Sequence, residues 1–131
     1  MDCVTAELLV SDQPLSFWGG YDFESGEIID RRHPLSGQTA AGKVLAIPFT
    51  IGSSTTAQVL LEAIRAGTAP AAILTQRLDT YLVLAALVAQ EMYGRSIPVV
   101  TISEAEFAEL RSGATYTVKM KPVPPPEIRE N

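Results

Sequence analysis

From Lys43 onward, short apolar runs alternate with longer helical patterns, and this order constrains the fold more than any other feature of the chain. Patterns typical of strands occupy residues 43–49, 69–75, 97–102 and 115–120, with a helical pattern between each pair. This β-α-β-α-β-α-β order predicts a mostly parallel sheet with right-handed crossovers, covered by helices. The first three runs do not alternate cleanly with polar residues, which is expected when both faces of a sheet are buried.

Three helices are predicted between these strands, and glycine or serine marks their ends. The first runs from about residue 55 to 66 and ends before Gly67, and the second stops at Gly94. Glycine suits the left-handed position that often terminates a helix. The third and shortest helix begins at Ser103, which forms a capping-box pattern with Glu106.

The first forty residues differ, because they give only short extended pieces separated by turns. These pieces lie at residues 4–10, 15–18 and 28–29, and we expect them to form a smaller N-terminal antiparallel sheet. The fold class is therefore predicted as α/β, in three layers ordered β/β/α. Residues 1–121 are expected to form one domain. Residues 122–131 are rich in proline, which blocks helix and sheet, so they are expected to form an extended tail.

Composition excludes several classes of function. The net charge of −5 and the lack of a Lys/Arg cluster argue against a nucleic-acid partner. Cys3 is the only cysteine, and one thiol cannot hold a zinc ion or an iron–sulfur cluster. We therefore expect no metal in this chain and a cytoplasmic location. No signal peptide is visible, and the longest apolar run, residues 82–89, is far shorter than the roughly 20 residues of a membrane span.

Four hydroxyl side chains follow Gly52 at the junction between a predicted strand and a predicted helix: Ser53, Ser54, Thr55 and Thr56. In open α/β sheets, ligands bind at such carboxyl ends of strands. The first N–H groups of a helix lack partners inside it, so this end attracts carboxylate or phosphate. The simpler interpretation is helix capping, for which Thr55 and Gln58 have the right spacing, but a cap needs only one hydroxyl.

Ser53 lies nearest the strand end and is the best candidate for chemistry. A serine hydroxyl is a poor base unless a neighbour or its environment activates it, and helix N–H groups can stabilise an alkoxide. The nucleophile elbow of hydrolases is not matched, because Thr55 stands in place of its last glycine. A phosphate-binding loop is not matched either, since the lysine is missing. A Ser53–His33–Asp30 triad is compatible with the composition, although no hydrolase motif accompanies it.

Four motifs occur together: FWGG at 17–20, HPLSG at 33–37, GKVL at 42–45 and GSS at 52–54. With them, almost the whole chain resembles the small subunit of aconitase X enzymes, which are hydro-lyases. The resemblance implies a swivelling β/β/α domain that closes over a larger subunit to form a heterodimer. It also implies that this large catalytic subunit carries an iron–sulfur cluster and most contacts with the hydroxy-acid substrate.

The resemblance also implies roles for the residues at the helix start. True aconitases have a similar serine motif, whose first serine removes a proton from carbon, and Ser53 matches it. The chain would supply this base while the cluster assists the loss of hydroxide. Gly52, Ser54 and Thr55 would bind substrate, and Thr55 replaces an arginine that grips a carboxylate in true aconitases. Candidates for a pocket or interface are Trp18, Gly19, Gly20, Arg32 and His33.

Two substrates are plausible for such a subunit, namely cis-3-hydroxy-L-proline and a phosphorylated mevalonate. Members acting on the phosphorylated substrate have a lysine just before the glycine-serine pair. Here residues 49–51 are Phe-Thr-Ile, which favours hydroxyproline, while Arg31 and Arg32 keep the phosphate alternative open. A phosphotransfer swivel domain using His33 and a non-catalytic anion-binding module are further alternatives. Residues 77–79 are expected to form a solvated loop, with a place at a pocket rim as the alternative.

Overall fold

The computed structural model describes residues 3–119, so the predicted domain end at residue 121 and the proline-rich tail lie outside the described residues. Its elements, in chain order, are β1 (Cys3–Val10), β2 (Leu15–Ser16), β3 (Val44–Ala46), β4 (Thr50–Ile51), α1 (Ser54–Ala66), β5 (Ala72–Thr75), α2 (Thr80–Tyr93), β6 (Val99–Thr101), α3 (Glu104–Ala108) and β7 (Thr115–Lys119). The predicted α/β alternation after residue 43 is confirmed.

The main sheet has five strands in the order β6-β5-β3-β1-β7. All neighbours pair in parallel except β7, which runs antiparallel to β1. The predicted mostly parallel sheet is therefore confirmed. β1 belongs to this sheet, pairing Leu8 with Val44, so the first predicted strand does not join the smaller sheet.

Both faces of the main sheet are buried at its central strands β3 and β5, which explains why these two strands lack polar alternation. Leu9, Leu45 and Ile73 point to one face and pack in a core with α1 and α2. Leu8 and Leu74 point to the other face and contribute to a second core with residues of α3 and β7. Among residues 3–119, no helix is long and apolar enough to cross a lipid bilayer.

The smaller sheet differs from the prediction in its strand direction and in its membership. It consists of β2 and β4, which pair in parallel, Leu15 with Thr50. Between β1 and β3, antiparallel pairing is limited to isolated bridges, between Tyr21 and Ile28 and between residues 27 and 39. The cause lies at Pro48, which has no N–H to continue a ladder, so the predicted strand 43–49 stops early and the chain crosses to β2.

The predicted helix ends are confirmed. Gly67 and Gly94 adopt left-handed conformations after α1 and α2, with φ of 79° and 68°. The Ser103 hydroxyl accepts a hydrogen bond from the Glu106 N–H, and the Glu106 carboxylate accepts one from the Ser103 N–H. This capping box starts α3, whose Phe107 contributes to the second core.

Candidate functional site at the start of α1

Gly52 links β4 to α1 with a backbone that favours glycine. Its φ is +130°, a region that residues with a side chain rarely adopt. An added Cβ would also lie 3.0 Å from the Thr56 hydroxyl oxygen. The turn therefore brings the backbone and the following serines to the surface without a side chain at residue 52.

The N-terminus of α1 is open. Ser53 is the N-cap residue, but its side chain makes no capping hydrogen bond, and both Ser53 and Ser54 are exposed. Thr55 lies inside the helix, so the capping interpretation with Gln58 is wrong. No acidic side chain occupies the first turn. The positive end of the helix dipole therefore faces solvent beside two serine hydroxyls.

Thr56 is a polar residue that the sequence did not distinguish from its neighbours. Its side chain is 1% exposed, and within residues 3–119 its hydroxyl has no hydrogen-bond partner. An unpaired buried hydroxyl costs free energy. This hydroxyl faces the space beside Gly52 that a side chain would otherwise fill.

A cleft of about 250 Å³ lies beside this turn, between the β4 segment that precedes α1 and the start of α2. Gly52, Phe49 and Arg77 contribute to its wall. The Arg77 guanidinium carbon lies 4.2 Å from the centroid of the Phe49 ring, a cation–π contact. Residues 77–79 thus lie at a pocket rim, the alternative that their position after a parallel strand suggested.

Asp79 fixes the geometry of this cleft. Its carboxylate accepts hydrogen bonds from the N–H groups of Tyr81 and Leu82, both at 3.1 Å, and so caps α2. The same carboxylate accepts a hydrogen bond from the hydroxyl of Thr50. Asp79 therefore ties β4, directly before Gly52, to the start of α2. The sequence alone gave no sign of this link, because the two residues are 29 positions apart.

A second cleft of about 400 Å³ lies along α1 and includes Thr55 in its wall. Its wall is mainly aromatic and aliphatic, and Trp18 at its edge is 66% exposed. The Tyr21 hydroxyl donates a hydrogen bond to the Thr68 carbonyl at 2.7 Å. Burial raises the pKa of Tyr21, so its phenol stays protonated.

Gly19 and Gly20 differ in their surroundings. Gly19 lines the second cleft with a φ of +76°, and nothing lies within 4 Å of the position of its missing Cβ. Gly20 is buried, and a Cβ there would overlap the carbonyl oxygen of Ser16. Gly20 therefore closes a turn of the backbone and lines neither cleft.

His33 is 7% exposed, and both of its ring nitrogens contact backbone atoms. Nδ1 accepts a hydrogen bond of 3.1 Å from the Leu35 N–H, so the ring proton is on Nε2. Nε2 donates a hydrogen bond of 3.3 Å to the Gln13 carbonyl oxygen. Because neither bond involves Ser53 or Asp30, the hydrolase triad is absent. His33 and the exposed Arg32 line neither cleft.

An iron–sulfur cluster, which the resemblance implies for the enzyme, does not fit the residues of this chain. Clusters are held by several cysteine thiolates. Cys3 is the only cysteine in the sequence and lies exposed at the beginning of β1. Within residues 3–119, no group of three or more His, Cys, Asp and Glu side chains is placed to hold a metal ion.

The chain is similar to several known proteins along most of its length. It matches the family described as aconitase X swivel domain over residues 1–123. It is 52% identical to cis-3-hydroxy-L-proline dehydratase of Pseudomonas aeruginosa, over 81% of this chain and 18% of that protein. It is 44% identical to the phosphomevalonate dehydratase small subunit of Methanopyrus kandleri, over 62% of this chain and 60% of that protein. Aconitase X from Thermococcus kodakaraensis, solved in its holo form, gives a TM-score of 0.78 at 30% identity, over 89% of this chain and 83% of that chain.

The chain thus spans less than a fifth of the length of the Pseudomonas aeruginosa protein and three fifths of the Methanopyrus kandleri small subunit. The structural likeness confirms the predicted fold class, a swivelling β/β/α domain. The resemblance read from the four sequence motifs is confirmed as well. The chain belongs to the aconitase X swivel domain family.

Proposed function

We propose that this chain is the small subunit of an iron–sulfur-dependent hydro-lyase and that Ser53 is its general base. The observation that carries the proposal is the exposed Ser53 hydroxyl at the open start of α1, between residues that line two clefts. The likeness to dehydratases of two kinds supports the reaction class. The cluster is assigned to the large subunit, because this chain has one cysteine.

Ser53 would remove the proton from the carbon next to the substrate carboxylate. A serine can do so only where its alkoxide is stabilised, and the N–H groups and dipole at the start of α1 supply that stabilisation. Both clefts are open in the chain by itself. Docking of the large subunit would exclude water and strengthen these electrostatic contacts. The chain is therefore proposed to be inactive alone, as one half of a site.

We favour cis-3-hydroxy-L-proline as the substrate. The chain is more similar to the hydroxyproline enzyme of Pseudomonas aeruginosa than to the Methanopyrus kandleri subunit, and residues 49–51 carry no lysine. Arg31 and Arg32, which kept the phosphate alternative open, line neither cleft. Phosphomevalonate remains the alternative substrate, and the assay below includes it.

Two other functions are less well supported. A phosphotransfer histidine needs a free ring nitrogen, whereas both nitrogens of His33 contact backbone atoms. A non-catalytic anion-binding module would use the same open helix start, without any need for Ser53 as a base. Mutation distinguishes these functions. Phosphotransfer would be abolished by the loss of His33, the hydro-lyase by the loss of Ser53, and anion binding by neither.

The test is co-expression of this chain with its large-subunit partner, sought in the adjacent reading frame, followed by dehydratase assays. We expect loss of water from cis-3-hydroxy-L-proline by the purified complex and none with this chain alone. Turnover of phosphomevalonate instead would select the alternative substrate. An intact complex that dehydrates neither compound would contradict the proposed function.

A further inference from the structure

We propose that Arg77 binds the carboxylate of the substrate in the cleft beside Gly52 and so places the α-carbon next to Ser53. This inference rests on the proposed function, because it names the group of the substrate that the site recognises. The cleft of about 250 Å³ contains both Gly52 and Arg77 in its wall. A small acid bound there would lie beside Gly52, the residue directly before Ser53.

Arg77 is held by contacts that leave its charge available. Its guanidinium lies over the Phe49 ring, with 4.2 Å between the guanidinium carbon and the ring centroid. Its carbonyl oxygen accepts a hydrogen bond of 2.7 Å from the Thr75 hydroxyl, whose residue is fully buried. Neither of the ion pairs found within residues 3–119 involves Arg77. Stacking on an aromatic face leaves the edge donors of a guanidinium free for a carboxylate.

The carboxylate nearest in sequence, Asp79, is already engaged. It accepts hydrogen bonds from two N–H groups of α2 and from the Thr50 hydroxyl. In the described part of the chain, no carboxylate oxygen of Asp79 lies within 4.0 Å of a guanidinium nitrogen of Arg77, so the two do not form an ion pair. The start of α2 is therefore capped from within, while the start of α1 is not.

Thr56 is the second, independent feature that points to a ligand. Its hydroxyl is buried and has no partner within residues 3–119, yet it lies 3.0 Å from the side-chain position that Gly52 leaves empty. The Thr55 hydroxyl lies 3.8 Å from the same position. Two hydroxyls thus border the space beside Gly52, and Gly52 itself shares the wall of the first cleft with Arg77.

The charge of the two clefts decides which of them takes the carboxylate. The second cleft has a mainly aromatic and aliphatic wall, and its one charged residue, Asp22, is acidic. No basic side chain among the described residues is available there to bind a carboxylate. Arg77 is the only basic residue in either wall as the structure describes them. The carboxylate therefore belongs beside Arg77.

The experiment compares Arg77→Gln and Arg77→Lys in the assembled enzyme. Hydrogen bonds to charged groups contribute about 1.5–3 kcal/mol, so we expect kcat/KM to fall about 10- to 100-fold with glutamine. Lysine keeps the charge without the paired donors and should give an intermediate loss. Arg111→Gln is the matched control, because Arg111 donates only to carbonyls near the end of α3. Unchanged kinetics in Arg77→Gln would overturn the inference.

A change of substrate separates binding from a structural role. The wild-type enzyme should prefer the acid over the corresponding carboxamide, and Arg77→Gln should lose most of that preference. A loss of activity that is equal for the two compounds would overturn the inference, because it would mean that Arg77 acts on the fold.

A binding measurement keeps this test independent of the proposed function. NMR titration of the full chain with L-proline should shift the amide signals of residues 52–56, and L-prolinamide should not. The proline response should disappear in Arg77→Gln. An equal response in that variant, or none in the wild type, would overturn the inference. If the complex shows no dehydratase activity, the proposed function fails and the titration alone decides on Arg77.

Discussion

Replacing Ser53 with alanine is expected to reduce turnover of the assembled enzyme by about 10²- to 10⁴-fold, the usual contribution of a general base. The side chain of Ser53 makes no capping hydrogen bond, so its removal should leave α1 intact. Because the residue is exposed, the core is untouched as well. The measurement is kcat of the purified complex, with its assembly checked by size-exclusion chromatography.

Ser54→Ala is the matched comparison for this experiment. Ser54 is the next residue, equally exposed, and its replacement disturbs the start of α1 to a similar degree. As a binding residue it should cost about tenfold, the value of one hydrogen bond of roughly 1.4 kcal/mol. A Ser53→Ala variant with turnover close to that of the wild type would remove the assigned base.

The largest effect on folding is expected from Gly20→Ala. The added Cβ would overlap the Ser16 carbonyl oxygen and press on the Leu15 side chain at 3.2 Å. Gly20 is buried, so the backbone of this turn has to shift, and we expect a cost of about 3 kcal/mol, the upper end of the usual range for overpacking. The melting temperature of the full chain should fall by roughly 10 °C. Thermal denaturation followed by circular dichroism measures it.

Gly19→Ala is the control for this loss, since the two glycines are adjacent in the same turn. Gly19 has a φ of +76° but open space around it, so only backbone strain of about 1 kcal/mol is expected. Equal losses of stability in the two variants would show that overlap with the Ser16 carbonyl oxygen is not the cause of the destabilisation.

The alternation of strands and helices after residue 43 was predictable, because apolar runs and glycine stops are local signals. The partners of the short strands were not. Pro48 ends β3 before residue 49, where the predicted strand ended. β4 pairs with β2, and the paired residues Leu15 and Thr50 are 35 positions apart in the sequence. Such pairing depends on contacts between distant segments, so no local pattern in the first forty residues reveals it.

The sequence alone indicated Ser53 as a candidate site residue, but it did not indicate the residues that pack around the start of α1. A glycine and several hydroxyls between a strand and a helix form a local pattern, and the structure places them at an open helix start. The link between Asp79 and Thr50, and the buried Thr56 hydroxyl, arise from packing between α1, α2 and β4. The bonds of His33 likewise depend on Gln13, 20 residues away, which a motif search does not see.

The central claim is that Ser53 acts on the substrate when the large subunit closes over this chain. The most direct measurement is a crystal structure of the complex with bound cis-3-hydroxy-L-proline or an inert analogue. The account predicts the Ser53 hydroxyl oxygen within about 3.5 Å of the carbon that loses its proton, the separation typical of reacting groups. A ligand bound elsewhere, with the start of α1 turned toward solvent, would contradict it.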